Sequence, residues 1–204
     1  MKKANSTVVD MPPKTHTKQT SAVSSPGPAW ARWRAPVGYP TAAVCLGLAH
    51  PTFRSIVAGS LIAGVGLFVR ALAAGHLRKR EALAHTGPYA RTRNPLYLGS
   101  GFMAAGFALA ARSLIAAGLL ALYFIVFYAQ VMRREESELR AQYGQAFDDY
   151  AATVPLFWPK MRRKTAADGS RFSFSQYLRN REYNAAIGAT LTIAVLAALA
   201  WWRR

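Results

Sequence analysis

Two polar stretches carry residue types that can do chemistry, and each adjoins a long apolar run. The first, GPYARTRNPLYLG, contains Tyr89, Arg93, Asn94 and Tyr97, and the second is RREE at 133–136. Arginine and a helix N-terminus suit a carboxylate or phosphate, because both present N–H donors and positive charge. A glutamate suits hydroxyl groups or an ammonium group. The pattern therefore indicates a polar binding site at the edge of an apolar environment.

The Asn94-Pro95 step predicts the start of a helix. Asparagine is a favoured N-cap residue, and proline fits the first helical position, where its missing N–H costs nothing. The preceding Gly87-Pro88 step indicates a turn. A helix that starts at Pro95 would gather the polar residues of the first stretch around its N-terminus.

Five apolar runs supply the elements that must position these residues. We predict membrane spans at about 36–50, 55–75, 96–111, 114–132 and 185–202. The first run is short and reaches adequate length only if the segment 30–33 joins it. Small residues at Ser60 and Gly64 would allow close helix contact, and Arg70 is expected to extend towards the headgroups. The fold class predicted is all-α: an integral membrane bundle of about five transmembrane helices.

The third and fourth runs are separated only by Arg112 and Ser113, which predicts an antiparallel helical hairpin. The start of one helix and the end of the other then lie on the same side of the membrane, so the two polar stretches would meet. After the hairpin, an apolar stripe recurs every three to four residues, as in an amphipathic helix on the membrane surface. The stripe consists of Leu139, Tyr143, Phe147, Tyr150 and Val154.

The charge of the chain supports a membrane location rather than nucleic-acid binding. The net charge is +17 and 52% of the residues are hydrophobic. The basic residues cluster at the ends of the apolar runs, which is typical of cytoplasmic loops and contacts with anionic lipid headgroups. Cys45 is the single cysteine, so the chain has no internal disulfide, and no His or Cys pair has metal-ligand spacing.

The basic loops orient the chain and divide it into three parts. They place the N-terminus and the polar site in the cytoplasm, and they leave Arg203 and Arg204 on the outer side, against the usual rule. We expect a disordered tail at 1–29, a membrane core at 30–160, and a basic segment with the last span at 161–204. The alanine- and arginine-rich composition suggests a bacterial inner membrane.

The residues alone leave an ordinary alternative open. Tyrosines, prolines and arginines beside a span are common features of membrane interfaces, and Glu136 and Arg140 have the spacing of an i,i+4 pair. Two segments nevertheless resemble the signature of the isoprenylcysteine carboxyl methyltransferase and phospholipid methyltransferase superfamily. They are GPY…RNPLYLG from Gly87 and EE…L…YG…F…Y…VP…P from Glu135, and the resemblance covers about residues 75–160.

The resemblance implies an integral membrane enzyme that uses S-adenosylmethionine without a Rossmann domain. It implies a set of cofactor-binding residues, with Arg93, Asn94 and Glu136 as candidates for a catalytic role. The cofactor set is Leu83, Ala84, Tyr89, Asn94, Pro95, Leu96, Tyr97, Glu135 and Glu136. Asn94 replaces the histidine of the eukaryotic carboxyl methyltransferases, so this position can only hydrogen-bond. The substrate-side arginine of the family has no clear match, and Arg133 or Arg134 would have to serve.

The methyl acceptor stays open at this stage. We expect a lipophilic or lipid-linked substrate, with an isoprenyl-linked carboxylate or thiol first and a phospholipid amine as the alternative. A sterol-reductase-like protein that binds NADPH and a non-enzymatic membrane protein are further alternatives. His76 and His85 are expected to be structural, no metal is predicted, and the oligomeric state is not determined.

Overall fold

The computed structural model describes residues 29–78, 83–160 and 171–203, and these residues form helices and no strand. They also include a short 3₁₀ helix, Gly87–Ala90, and a π-helical stretch, Phe124–Tyr128. The α-helices are α1 (Ala29–Gly47), α2 (Phe53–His76), α3 (Pro95–Ala111), α4 (Leu114–Tyr123), α5 (Ala129–Tyr143), α6 (Gln145–Thr153), α7 (Phe174–Arg179) and α8 (Tyr183–Trp202). The all-α fold class is confirmed. The predicted tail lies outside these residues except for Ala29, and 161–170 of the basic segment also lies outside them.

Within the described residues, three helices are long and apolar enough to cross a membrane. They are α2, the continuous helix Leu114–Tyr143, and α8. The 30 residues of Leu114–Tyr143 extend about 45 Å, which exceeds the hydrocarbon thickness of about 30 Å. Helix α3 is apolar but has 17 residues, and α1 includes the predicted extension at 30–33. These helices fit a membrane protein, while the count of about five spans and the domain boundaries stay predictions.

The closest helix contact is between α2 and α3, and glycines make it possible. A Cβ atom on Gly59 would lie 2.4 Å from the Gly106 carbonyl oxygen, and one on Gly66 would lie 2.5 Å from the Gly99 carbonyl oxygen. Small residues allow backbones to approach in this way, and dispersion then holds the helices together. The predicted contact at Gly64 is wrong, because that glycine faces open space. The sequence held small residues on two faces of α2, and only the partner helix selects between them.

The predicted hairpin between α3 and α4 is confirmed. Helix α3 ends at Arg112, whose φ of 51° is in the left-handed region, and the Ser113 side chain accepts from the Ala116 N–H to start α4. The same helix then continues through the π-helical stretch into α5. The end of α5 therefore returns to the side of the membrane on which α3 begins.

The stripe that follows the hairpin is divided between two helices, α5 and α6, rather than carried by one, and its location on the membrane surface stays a prediction. Gly144 adopts φ 53° and ψ −128°, a conformation that suits glycine, and it separates α5 from α6. The change of direction buries Phe147 and Val154, each 1% exposed. Helix α6 therefore folds back so that Phe147 and the following Val154 pack against the protein.

The ends of α8 are tied to other helices by charged groups. At one end, Arg203 donates to the carbonyls of Gly47 and Ala49 at the end of α1. Arg203 thus caps carbonyls that lack helical partners, and its location on the outer side stays a prediction. At the other end, Arg70 of α2 is paired with Glu182, and its predicted extension towards the headgroups stays a prediction.

Candidate functional site

The segment between the 3₁₀ helix and α3 is held against the segment that follows α6. The Arg93 N–H donates to the Pro155 carbonyl at 2.9 Å, and the Lys160 N–H donates to the Arg91 carbonyl at 3.1 Å. The Thr92 hydroxyl is buried and donates to the Phe157 carbonyl at 2.8 Å. These contacts pair backbone groups that neither segment satisfies alone, so the loop before α3 has a fixed shape.

Asn94 is the N-cap residue of α3, and Pro95 is the first helical residue, as predicted. The Asn94 side chain does not cap the helix. Its amide donates instead to the Leu156 carbonyl at 3.1 Å, and its own N–H donates to the Thr92 hydroxyl at 3.3 Å. The first N–H groups of α3 are therefore not used by their N-cap side chain, which leaves partial positive charge at this end.

The acidic pair of α5 meets the start of α3. The Tyr97 hydroxyl donates to Glu135 Oε1 at 2.5 Å across 38 positions of sequence. Arg93 Nη1 lies 2.7 Å from Glu136 Oε1. We call Tyr89, Arg93, Asn94, Tyr97, Glu135 and Glu136 the polar cluster. The structure thus brings together the two stretches that the hairpin was predicted to join.

The alternative pairing of Glu136 with Arg140 is wrong. The Arg140 guanidinium binds Asp148 of α6, with Nε 2.7 Å from Oδ1, and lies 5.5 Å from the centre of the Phe147 ring. Glu136 points to Arg93 instead. Helix α5 therefore presents Glu136 to the polar cluster, while Arg140, close to the bend at Gly144, contacts α6.

The Arg93–Glu136 pair is charged and mostly shielded from solvent, with side chains 16% and 21% exposed. The short contact lacks the alignment of a hydrogen bond, and Arg93 Nε is buried without an acceptor among the described residues. A buried N–H group without an acceptor is costly, since it has lost water and gained nothing. The polar cluster therefore holds a buried guanidinium N–H on Arg93 and a buried carboxylate oxygen on Glu136 that make no hydrogen bond among the described residues.

An aromatic group borders the polar cluster on the long helix. The rings of Tyr97 and Tyr128 meet edge to face at 5.4 Å, and Phe124 stacks on Tyr128 at 4.5 Å. Phe157 adds a further edge contact to Phe124 at 6.3 Å. Phe124 and Tyr128 belong to the π-helical stretch, a feature often found at functional sites. Aromatic faces beside a carboxylate can accommodate a cation or a flat ring.

Tyr89 is a buried member of the polar cluster, 6% exposed. Its carbonyl accepts from the Tyr150 hydroxyl at 2.7 Å. Burial raises the pKa of the Tyr89 phenol above its ordinary value, and Tyr150 and the carboxylates of Glu135 and Glu182 raise it further. The Tyr89 phenol is consequently neutral at physiological pH and can act only as a hydrogen-bonding and packing group.

The remaining predicted residues take varied positions. Leu83 and Ala84 are half-buried before the 3₁₀ helix, Pro95 is fully buried, and the Leu96 carbonyl accepts from Arg70 and Ser100. Arg133 is exposed, and Arg134 is bound to Glu138 on the surface. The substrate-side role of these two arginines stays a prediction.

The two histidines make backbone contacts. His76 Nδ1 lies 2.8 Å from the Leu72 carbonyl and His85 Nδ1 lies 3.0 Å from the Leu83 carbonyl. These contacts agree with the structural role predicted for both residues. Among residues 29–78, 83–160 and 171–203, no group of three or more His, Cys, Asp or Glu side chains could hold a metal ion.

Sequence reasoning missed Thr92 and the pair Arg70–Glu182. Thr92 gave no signal, because a threonine between two arginines has no distinctive spacing. Arg70 and Glu182 did give one, since two opposite charges sit within or beside apolar runs and such charges usually find each other. Glu182 also lines a groove of about 210 Å³ between α2, α7 and α8, which shares no residue with the polar cluster.

Comparison with known proteins identifies a family for the chain. The family model described as phospholipid methyltransferase matches residues 42–146, slightly more than half of the chain. The nickel-cobalt-cadmium resistance protein NccN of Alcaligenes xylosoxydans xylosoxydans is 32% identical over 84 residues. This similarity covers 41% of the chain and 39% of that relative's length. No solved structure shows significant similarity. From the family match, the chain belongs to the phospholipid methyltransferase family, within the superfamily of integral membrane methyltransferases.

Proposed function

We propose that this protein transfers a methyl group from S-adenosylmethionine to a lipophilic acceptor at the inner surface of a bacterial inner membrane. The observation that carries the proposal is the junction of α3 and α5, where Tyr97 meets Glu135 and Arg93 meets Glu136. This junction lies on the two segments that carry the superfamily signature. The family match over residues 42–146 supports the methyltransferase class.

The residues of the polar cluster fit the chemistry of the methyl donor. S-adenosylmethionine has a carboxylate, an ammonium group, a ribose diol and a sulfonium. Arg93 Nε is a buried donor without an acceptor among the described residues, and the start of α3 adds N–H groups, so this side suits the carboxylate. Glu135 suits the ammonium group or the ribose hydroxyls, and the rings of Tyr97 and Tyr128 suit a cation.

The protein would act mainly by holding and shielding the reactants. When bound, S-adenosylmethionine supplies an electrophilic methyl group, whose carbon an aligned nucleophile can attack while the bond to sulfur breaks. Arg93 and Glu135 would bind opposite charges of the cofactor and fix its orientation, which is where much of the rate of such a displacement arises. The partial burial of Arg93 and Glu136, with side chains 16% and 21% exposed, would strengthen electrostatic contacts on that side of the cluster. Asn94 keeps the loop in place through the Leu156 carbonyl and carries no proton in the reaction.

Among acceptors, an isoprenyl-linked carboxylate needs no base, because it is ionised near pH 7. A thiol or a phospholipid amine must lose a proton before it attacks. The two carboxylates nearest the cluster centre are engaged by Tyr97 and Arg93, which favours the carboxylate acceptor. The description of the family model names phospholipids, so the amine is the second candidate.

Isothermal titration of the detergent-purified protein tests the cofactor. We expect S-adenosylmethionine to bind and NADPH not to bind. Glu135→Ala should weaken S-adenosylmethionine binding by about tenfold or more, since a charged partner is lost, and Tyr97→Phe should weaken it less. Glu138→Ala is the matched control, because Glu138 lies one turn further along α5 and binds Arg134 on the surface, away from the polar cluster.

Three results would contradict the proposal. NADPH binding would favour a reductase-like protein, and failure to bind either cofactor would favour a non-enzymatic role. Equal affinities for Glu135→Ala and Glu138→Ala would exclude the polar cluster as the cofactor site. Lipid extracts incubated with methyl-labelled S-adenosylmethionine and separated by chromatography then identify the acceptor class.

A further inference from the structure

Arg70 lies within the apolar helix α2 and binds three groups on two other elements. Its Nε–H donates to Glu182 Oε1, and its Nη1 donates to the Leu96 carbonyl at 3.3 Å and to the Ser100 hydroxyl. The Ser100 hydroxyl in turn donates to the Leu96 carbonyl at 3.1 Å. The guanidinium is therefore hydrogen-bonded to the first turn of α3, at Leu96, the residue before Tyr97.

The absence of a side chain at Gly99 leaves room for the Arg70 side chain. A Cβ atom on Gly99 would lie 2.6 Å from Arg70 Cγ, closer than any ordinary contact. Arg70 thus crosses the α2–α3 contact where the two helices almost touch. A side chain confined in this way loses freedom of position, so its hydrogen bonds fix the height and rotation of the first turn of α3.

Glu182 supplies the negative charge that compensates the Arg70 guanidinium. It is the N-cap residue of α8, is 9% exposed, and is the only carboxylate that the structure pairs with Arg70 among the described residues. A charged group within a membrane helix is retained when it is paired and when a function requires it. A tie between helices alone could be made by apolar packing at lower cost.

The same pair lies close to the polar cluster. Both Arg70 and Glu182 act on the phenol of Tyr89, Arg70 lowering its pKa and Glu182 raising it. The Asn180 amide donates to the carbonyls of Ala74 and Leu77, which anchors the segment before Glu182 to the end of α2. The C-terminal segment is therefore held at the level of the cluster and not at the far end of the bundle.

We propose that Arg70 and Glu182 are positioning residues for the cofactor site: Glu182 holds Arg70, and Arg70 holds the first turn of α3 so that Tyr97 meets Glu135. This inference rests on the proposed function, and it assigns to the C-terminal helix, which lies outside the matched residues 42–146, a part in the site. In this proposal the pair acts on the site through α3 and Tyr97.

The test combines a spectroscopic readout with cofactor affinity in the full-length protein. The protein is labelled with 3-fluorotyrosine, and the fluorine resonance of Tyr97 is assigned by its loss in Tyr97→Phe. We expect Arg70→Lys and Glu182→Gln to shift or broaden this resonance while that of Tyr39, in α1, is unchanged. A lysine cannot serve Glu182 and Leu96 together, because it lacks the planar fork of arginine.

Both variants should also weaken S-adenosylmethionine binding roughly tenfold. Arg54→Lys, on the exposed opposite end of α2, is the matched control and should change neither readout. If Arg70→Lys fails to fold, Glu182→Gln and Ser100→Ala, which removes one acceptor of Arg70, carry the same expectations.

The outcomes separate this inference from the proposed function. An unchanged Tyr97 resonance in Glu182→Gln and Ser100→Ala would overturn the positioning role, and so would a loss of stability with wild-type affinity and resonance. If the Tyr97 resonance shifts but the wild-type protein does not bind S-adenosylmethionine, the positioning of α3 stands and the proposed function fails.

Discussion

Substitution of Gly66 by alanine should separate α2 from α3 and weaken the cofactor site. A Cβ atom there would lie 2.5 Å from the Gly99 carbonyl oxygen and 2.8 Å from Met103 N. Both atoms belong to the backbone of α3, so neither can rotate away. An ordinary contact of a Cβ atom begins at 3.4 Å, whereas the distance to the Gly99 oxygen would be 2.5 Å. The helices must therefore part by about 0.9 Å.

The cost follows from the packing that this movement removes. Overpacking of a well-packed contact costs about 1–3 kcal/mol, and a gap of this size forfeits about a quarter to a half of each dispersion contact. Gly99 lies two positions after Tyr97, so the movement also shifts Tyr97 relative to Glu135 on another helix. A displacement near 1 Å at a site can lower a rate by about 10²-fold.

Gly64 offers a matched control on the same helix. No atom lies within 4 Å of a Cβ at this position, so Gly64→Ala meets no neighbour and should gain up to about 1 kcal/mol from helix propensity. Thermal unfolding in one detergent and titration with S-adenosylmethionine compare the two variants. We expect Gly66→Ala to unfold at lower temperature and to bind more weakly. Equal or higher stability of Gly66→Ala relative to Gly64→Ala would refute the close-contact argument.

Three further changes test other parts of the structure. Asn94→Asp should destabilise the protein more than Asn94→Ala, because a carboxylate would face the Leu156 carbonyl instead of donating to it. Thermal unfolding of both variants measures the difference, and the reverse order of stability would contradict the prediction. Arg203→Met should lower the free energy of unfolding by about 1.5–3 kcal/mol, since charged hydrogen bonds to the end of α1 are lost. The affinity for S-adenosylmethionine should be unchanged, and weaker binding would contradict the independence of the two ends of α8. Gly144→Ala should cost about 1–2 kcal/mol although no atom lies within 4 Å, because the cost is conformational, and wild-type stability would show that the bend adapts.

Local sequence rules determined the elements that lead to the site. The run lengths predicted the apolar helices, the Arg112-Ser113 turn predicted the hairpin, and Asn94-Pro95 predicted the start of α3, all of which the structure confirms. These features depend on a residue and its neighbours within one or two turns. The meeting of the two polar stretches also followed, because an antiparallel hairpin places the start of its first helix beside the end of its second.

Partner choice was beyond such rules. Ser60 and Gly64 were as suitable for close packing as Gly59 and Gly66, and only the backbone of α3 selects the second face. Glu136 had Arg140 at helical spacing, but the bend at Gly144 gives Arg140 to Asp148 and leaves Glu136 for Arg93. In each case the local sequence allows two solutions, and a contact from a distant element decides between them.

By itself the sequence determined that this chain is a helical membrane protein with a polar site where α3 begins, because hydrophobic length and turn chemistry are written in consecutive residues. The tertiary structure alone decided that Arg70 and Glu182, 112 positions apart, share one ion pair behind that site. The physical reason is that an ion pair within an apolar bundle forms where packing brings two charges together, and packing is a property of the whole fold.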